Sequence, residues 1–369
     1  MPEEWNYKKA GLDLEKYAET MAGIQPLLAR TWDAHRVMKP PFPPRKGGKG
    51  SGGFASLFDL NALASPARKY ANPVLVTCTD GVGSKLKIAA QMNRFDTVGI
   101  DLVAMSVNDL ICTGGDALVF LDYIAMPKDD PELSRQLVLG ISEGCMRAGS
   151  SLVGGETAIL PEFYAAGDFD MAGFAAGIVE RSEVIDGSAI RPGDVLIGLA
   201  SSGFHSNGYS LVRKVIESAK LSMTDVVPEL GTTVGEALLT PTMIYAKPIR
   251  RLLDAVQTAE FAVSGLANIT GGGIPDNLGR ILSPGCQAIV NRAAWPSPPL
   301  FNWLQFLGNI ADAEMDRVFN RGVGFVVVCR PEAVASALAN LADNGLTARR
   351  IGEIRAGEVG VRITSTEPV

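Results

Sequence analysis

Histidine and cysteine are scarce in this chain, and neither is spaced as a metal centre would need. Only His35 and His205 occur in 369 residues, and the five cysteines, Cys78, Cys112, Cys145, Cys286 and Cys329, show no CxxC spacing. Odd in number and scattered, they are expected to be reduced core residues, not disulfides or zinc ligands. A positive charge excess is also missing. The formal net charge is −6, so the clustered Lys and Arg that a polyphosphate backbone demands are absent and nucleic acid is not expected as a partner. No apolar run approaches the roughly 18 residues needed to cross a bilayer. The opening MPEEWNYKKAG lacks a cationic segment followed by an apolar one. A cytoplasmic location without membrane contact is the expectation.

What is present suits a globular enzyme: 47% hydrophobic and 20% charged residues. The length suggests two domains, each with its own core. Residues 1–36 mix charge with a possible helix, and the stretch PPFPPRKGGKGSGG then excludes regular structure and reads as a mobile loop over 40–54. Beyond it, strands are expected over 73–79, in ALVFLDYIAM and in FDMAGFAAGIVE. Helices are expected over 84–92, in GIDLVAMSVNDLICTG and in PELSRQLVLGISEGCMRAG. The polar, turn-rich ERSEVIDGSAIRPGD divides this first series from a second, which runs from DVLIGLASSG to the helix PEAVASALANLADNG. The expected domains are 1–182 and 183–369, of interleaved α/β (α+β) type. No short-period repeat is evident.

The stretch CTDGVGSKLK ends an apolar strand on Asp80, then Gly81 and Gly83, then Lys85. Such strand-to-helix turns gather backbone N–H groups and often hold phosphate. The lysine and hydroxyl order of a P-loop is absent, and a bare carboxylate beside phosphate is repulsive unless a metal lies between them. An ordinary turn accounts for these residues alone as well as a site does. Asp101, Asn108 and Asp109 lie along the next helix and could bring oxygen ligands toward Asp80, a set suited to Mg²⁺, although Asp101 also reads as a helix-dipole charge. SLVGGETAILP places Glu156 after two glycines and is read as a second turn of the same design. In ASSGFHSNGYSL, His205 with Ser206 and Asn207 could donate a proton or bind phosphate, or simply cap a helix. ITGGGIPDNL sets three glycines ahead of Pro275 at a helix start, which suits a terminal phosphate.

Taken in order, GLDLEKY, GGFASLF, TDGVGSKLKIA, GIDLVAMSVNDL, FLDYIA, LVGGETAILP, DMAGFAAGIVE, SSGFHSNGYSLVRK, ITGGGIPDNL, FNWLQ and EMDRVFNRGVG resemble the phosphoribosylformylglycinamidine cyclo-ligases, also called aminoimidazole ribonucleotide synthetases. The resemblance runs from about Tyr7 to about Glu353. It implies a two-domain synthetase-like fold whose N-terminal half pairs its sheet in a homodimer and whose C-terminal mixed α/β domain completes the substrate site. It implies ATP and Mg²⁺ as cofactors, a small ribonucleotide as substrate, and the N-terminal glycine-rich loop closing over ATP. By motif, Asp80 and Asp101 would hold metal, with Lys85 and His205 also counted as catalytic. Lys46, Lys49, Gly52, Gly53, Gly81, Gly83, Asn108 and Glu156 would meet ATP. Ser202, Gly203, Ser206, Asn207, Gly271, Gly272 and Gly273 would meet the ribonucleotide. Three departures stand out: Asn268 where histidine is usual, Arg321 where Met or Cys is usual, and a longer N-terminal loop. The rival readings are another ATP phosphotransferase of the same fold, of selenophosphate synthetase or thiamine-monophosphate kinase type, and a non-catalytic nucleotide-binding dimer.

Overall fold

Strand periodicity builds the first sheet. In a computed structural model, which describes residues 14–33, 35–38, 56–60, 70–256 and 262–365, helix α1 (Leu14–Ala29) and the short strands β1 (Val37–Met38) and β2 (Leu57–Phe58) precede β3 (Pro73–Gly81). Then come α2 (Leu86–Met92), α3 (Val98–Ile111), β4 (Asp116–Met126), α4 (Pro131–Ala148), β5 (Ser151–Ile159) and β6 (Asp170–Glu180). The sheet order is β3-β6-β4-β5, with β6 antiparallel to both neighbours and β4 parallel to β5. α4 starts where the Asp130 side chain accepts from the N–H groups of Glu132 and Leu133, and ends at Gly149 in the left-handed region. It crosses α3 closely. A Cβ at Gly99 would stand 2.3 Å from the backbone nitrogen of Ile141, so only glycine permits the approach.

The helices cover one face of this sheet. Along β6, Met171 and Ala175 are buried while Ala172 and Phe174 are exposed. The sequence shows little polar alternation here because the exposed side is apolar as well: Leu75 is 74% exposed, and Leu121, Tyr123 and Phe174 accompany it. A groove of about 390 Å³ at one end of the sheet is lined by Phe58, Tyr70, Leu75, Leu118 and Ile178, among others.

The second half adds β7 (Val195–Ala200), α5 (Tyr209–Ser218), β8 (Val226–Val227), β9 (Thr232–Thr233), α6 (Val234–Leu239), α7 (Ala246–Val256) and β10 (Val263–Asn268). It continues with α8 (Gly273–Gly279), β11 (Cys286–Asn291), α9 (Pro299–Leu307), α10 (Asp312–Val318), β12 (Val323–Cys329), α11 (Val334–Asp343), β13 (Ala348–Ala356) and β14 (Gly360–Thr364). Six strands form a mixed sheet in the order β10-β12-β7-β13-β11-β14. Alternate residues of β7 and β12 serve two cores. Ile197, Leu199, Phe325 and Val327 join one core that continues into α3 and α4 of the first half. Leu196, Val326 and Val328 pack with Ile274, Leu278 and Trp295 on the other side. Among the described residues, no helix is long and apolar enough to cross a membrane.

Two local expectations differ from what is found. Glu156 is not in a turn after a strand, because β5 continues through Gly154 and Gly155, past one shift of register at Val153, and its pairing with β4 supplies the backbone hydrogen bonds that a turn would forgo. α8 begins at Gly273, so Pro275 sits inside the first turn and not at its start.

Candidate active site

Asp80 closes β3 at the edge of the first sheet, where Gly81 and a short helical turn over Gly83–Lys85 lead into α2. Gly83 has φ of 73°, the left-handed region that favours glycine, and a Cβ at Gly81 would stand 3.2 Å from the Met171 carbonyl, a tight approach. The Asp80 Oδ1 accepts from the Gly81 N–H at 2.7 Å. Burial nevertheless pushes the Asp80 carboxyl above its ordinary range.

The three candidate residues of α3, Asp101, Asn108 and Asp109, divide. Asp101 and Asn108 are two turns apart and share one face, which is turned into the second domain and fully buried. Asn108 donates to the Met243 carbonyl at 2.8 Å and accepts from the Tyr245 N–H at 3.0 Å. The Asp101 carboxylate faces Lys85, not Asp80: the Lys85 ammonium is 2.9 Å from both its oxygens, and each side chain is 0% exposed. The expected meeting of Asp101 with Asp80 is therefore replaced by a pairing of Asp101 with Lys85. Asp109, one residue on, is the carboxylate that accompanies Asp80. Burial and the nearby Asp80 charge push its carboxyl up, while a 2.8 Å hydrogen bond donated by the Asn268 amide opposes that shift. The same two carboxylates, after burial, raise the intervening Cys78 thiol to about 11, which leaves it protonated and inert. Asp109 was legible as a neighbour of Asn108, but helical phase singles it out, a turn's third away from the buried face.

One cross-strand row deepens the site. Asp80 pairs with Gly173, Gly173 with Asp122, and Asp122 with Gly155, so the two acids share the helix-side face with glycines between and beyond them. Burial raises the Asp122 carboxyl to about 7. Sequence reading passed over Asp122 within FLDYIA because an acid inside an apolar strand carries no turn signal. Glu156 is exposed and pairs with Tyr123 on the uncovered face, at the sheet edge opposite Asp80 and roughly 14 Å of strand spacings away. The parallel drawn between the two acids does not put them side by side in one chain.

The second domain brings its two polar loops together. Gly271 faces Asn207, whose Oδ1 would lie 3.6 Å from a Cβ there. The Asn207 amide nitrogen is buried with no hydrogen-bond partner among the described residues. Asn277 braces the glycine run, donating to the carbonyls of Gly271 and Gly273 at 3.2 and 2.8 Å, and Gly272 and Gly273 both have positive φ. Opposite, Gly203 has φ of 150°, its carbonyl accepts from Asn320, and the Ser202 hydroxyl donates to the Pro241 carbonyl at 2.6 Å. Ser206 meets Thr242, hydroxyl to hydroxyl, at 3.4 Å. His205 itself is 2% exposed with φ of 61°, its Nε2 accepting from the Ser202 N–H at 3.3 Å. Burial, with Lys85 beside it, drives the imidazole down to about 3, which favours the neutral form near neutral pH. Arg321 takes up its departure from the usual residue locally, pairing with Asp312 and Asp316 of α10.

Among the described residues no three His, Cys, Asp or Glu side chains converge as a ready-made metal cage. Two carboxylates with triphosphate oxygens completing the shell is the usual Mg²⁺ arrangement, and Asp80 and Asp109 suit it: both are oxygen donors, and mutual repulsion is what a cation would relieve. Lys46, Lys49, Gly52 and Gly53 lie outside the described residues.

The AIR synthase related protein family matches in two parts, its N-terminal domain over residues 67–179 and its C-terminal domain over 191–364. The chain is 48% identical over 357 residues to a phosphoribosylformylglycinamidine cyclo-ligase of Thermoanaerobacter sp. (strain X514), across 96% of this chain and 99% of that protein. It is 47% identical over 350 residues to the protein of the same name from Cupriavidus metallidurans, across 95% and 93%. Among solved structures, thiamine-monophosphate kinase from Stenotrophomonas maltophilia K279a superposes with a TM-score of 0.64 at 16% identity, over 93% of this chain and 96% of that one. Hydrogenase maturation protein HypE in complex with ATP does so with a TM-score of 0.58 at 19% identity, over 83% and 86%. At such identities the likeness is one of fold.

Proposed function

This chain belongs to the phosphoribosylformylglycinamidine cyclo-ligase family, within the AIR synthase related proteins, and from that membership we propose how its two domains divide the reaction. The activity is the ATP-dependent cyclisation of formylglycinamidine ribonucleotide to aminoimidazole ribonucleotide, with ADP and phosphate, in purine biosynthesis. The kinase and selenophosphate readings have less support, since the likeness to thiamine-monophosphate kinase is 16% against 48% to a cyclo-ligase.

The first domain holds ATP. Asp80 and Asp109 would carry Mg²⁺, which when bound neutralises triphosphate charge, and the Gly81 and Gly83 turn lets the anion approach the backbone. Lys46, Lys49, Gly52 and Gly53 are proposed to cover the triphosphate. The second domain holds the ribonucleotide through Ser202, Gly203, Ser206, Asn207 and the Gly271, Gly272 and Gly273 turn; the unpartnered Asn207 amide supports this. The formyl oxygen attacks the γ-phosphorus and ADP leaves; an amidine nitrogen then attacks the activated carbon, phosphate departs with the former formyl oxygen, two N–H protons are lost, one of them carried by phosphate, and a methylene proton shifts to the exocyclic nitrogen as the ring becomes aromatic. Holding both reactants across one domain junction supplies the proximity this needs. The bare apolar sheet face is proposed to meet the same face of a second copy, and the protein to work in the cytoplasm.

The observation that carries the reading is the convergence of Asp80 and Asp109 from the first domain with Asn268 of the second. Mixing the protein with ATP, Mg²⁺ and formylglycinamidine ribonucleotide tests it. ADP and aminoimidazole ribonucleotide should form in equal amounts, and ADP only when the ribonucleotide is present; a stable phosphorylated product would favour the kinase reading.

A further inference from the structure

We propose that Lys85 and Asp101 are a positioning pair, by which the ATP domain sets the loop that presents the ribonucleotide-facing residues, and that neither touches ATP or its metal. The inference rests on the cyclo-ligase reading and gives these two residues a different task from the one the resemblance implies.

Lys85 has three N–H donors and all are spent. They reach the Asp101 carboxylate at 2.9 Å, the His205 carbonyl at 3.1 Å and the Thr240 carbonyl at 2.7 Å. Asp101 accepts in addition from the Thr242 N–H at 2.7 Å and the Thr242 hydroxyl at 2.5 Å. Two side chains of the first domain thus grip two separate segments of the second, one at 205 and one at 240–242. Both are 0% exposed, so neither has a surface to offer an incoming phosphate. A buried lysine stays charged only with such partners: burial lowers its pKa and Asp101 raises it again.

The grip falls where position matters. Lys85 closes the short helical turn Gly83–Lys85 that follows Asp80 and Gly81, so a shift of that turn moves its ammonium. The acceptor on the far side is the backbone of His205, a non-glycine residue held in the left-handed region, a conformation that persists only when its surroundings hold it. His205 in turn receives the Ser202 N–H, and Ser206 meets Thr242, so Ser202, Ser206 and Asn207 all hang from the gripped backbone. Removing one partner alone leaves an unpaired buried charge and destabilises the fold; neutralising both is far better tolerated.

The test compares the unmodified protein with Lys85→Met/Asp101→Asn and with Thr242→Val, using calorimetric titration with a non-hydrolysable ATP analogue plus Mg²⁺ and steady-state kinetics with the ribonucleotide. In the double variant, affinity for the analogue should stay within about twofold, while the ribonucleotide KM rises about tenfold or more and kcat falls. Thr242→Val, which only trims the grip on the loop side, should move the ribonucleotide KM in the same direction by about threefold with unchanged analogue affinity. Loss of analogue affinity of about tenfold with an unchanged ribonucleotide KM would overturn the proposal, as would no change in either. If the double variant does not fold, Thr242→Val decides alone: an unchanged ribonucleotide KM overturns the proposal. Failure of the unmodified protein to cyclise would count against the cyclo-ligase reading instead.

Discussion

The Asn268 amide donates to the Asp109 carboxylate at 2.8 Å, tying the end of β10 in one domain to the last turn of α3 in the other, beside the Asp80 turn. Asn268 stands where the resembling family usually has histidine. An amide keeps the donor and gives up the titration, so the bond given to Asp109 does not depend on the protonation state of its donor. Replacing Asn268 with leucine removes the donor that opposes burial. The Mg²⁺ concentration giving half-maximal rate should rise about tenfold or more, since a hydrogen bond to a charged group is worth about 1.5–3 kcal/mol. Asn268→His should stay near the parent value above pH 7. Equal Mg²⁺ dependence in the leucine variant would show that Asp109 does not need the bond.

His205 should be silent in pH titrations. Its folded pKa is depressed to about 3, against about 6.5 in the unfolded chain, so the stability it contributes is complete above pH 6.5 and is lost as pH falls toward 3. Its imidazole resonances should hold the neutral pattern from pH 5 to pH 8, followed by selective labelling. A midpoint near 6.5 would contradict the burial and return His205 to proton-transfer roles.

Asp122 runs the other way. Its folded pKa is raised to about 7 by burial, so the native state keeps a proton that the unfolded chain, with a value near 3.9, releases. Stability of the ligand-free protein should therefore fall as pH climbs from about 4 to about 7. In Asp122→Asn the decline should flatten, leaving the variant more stable than the parent at pH 8 and little different at pH 4, read from urea midpoints.

The uncovered sheet face gives a prediction about mass. Leu75 at 74% exposure and Phe174 on the neighbouring strand are large apolar groups on a surface that the described residues leave bare. Light scattering should return twice the 39.0 kDa chain mass for the unmodified protein and close to that single mass for Leu75→Glu/Phe174→Arg. A monomeric parent would contradict the pairing.

Much of this was legible in the chain itself, and the exceptions have physical causes. β3 and α3 announce themselves through their apolar runs, and the Asp80 turn through its glycines. β10, β11 and β14 are short strands of a mixed sheet whose pairing is long-range, and no local pattern at Val263–Asn268 or Cys286–Asn291 dictates it. Glu156 misled because two adjacent glycines usually break a strand, yet here Gly155 makes room for the Asp122 carboxylate that a Cβ would overlap. Asp101 misled for a different reason. Sequence shows that an acid lies on a helix but not whether it faces a phosphate or a lysine brought back from the preceding turn. Only packing of the two domains places Thr240 and Thr242 over that pair.

The most direct measurement is Mn²⁺ binding in the presence of ATP, read by water-proton relaxation, for the parent, Asp80→Asn, Asp109→Asn and Lys85→Met/Asp101→Asn. The account predicts that Asp80→Asn and Asp109→Asn each weaken the ATP-dependent site by about tenfold or more while the double variant keeps it. Loss of the site in the double variant with retention in Asp109→Asn would contradict the account and make Asp101 the metal carboxylate.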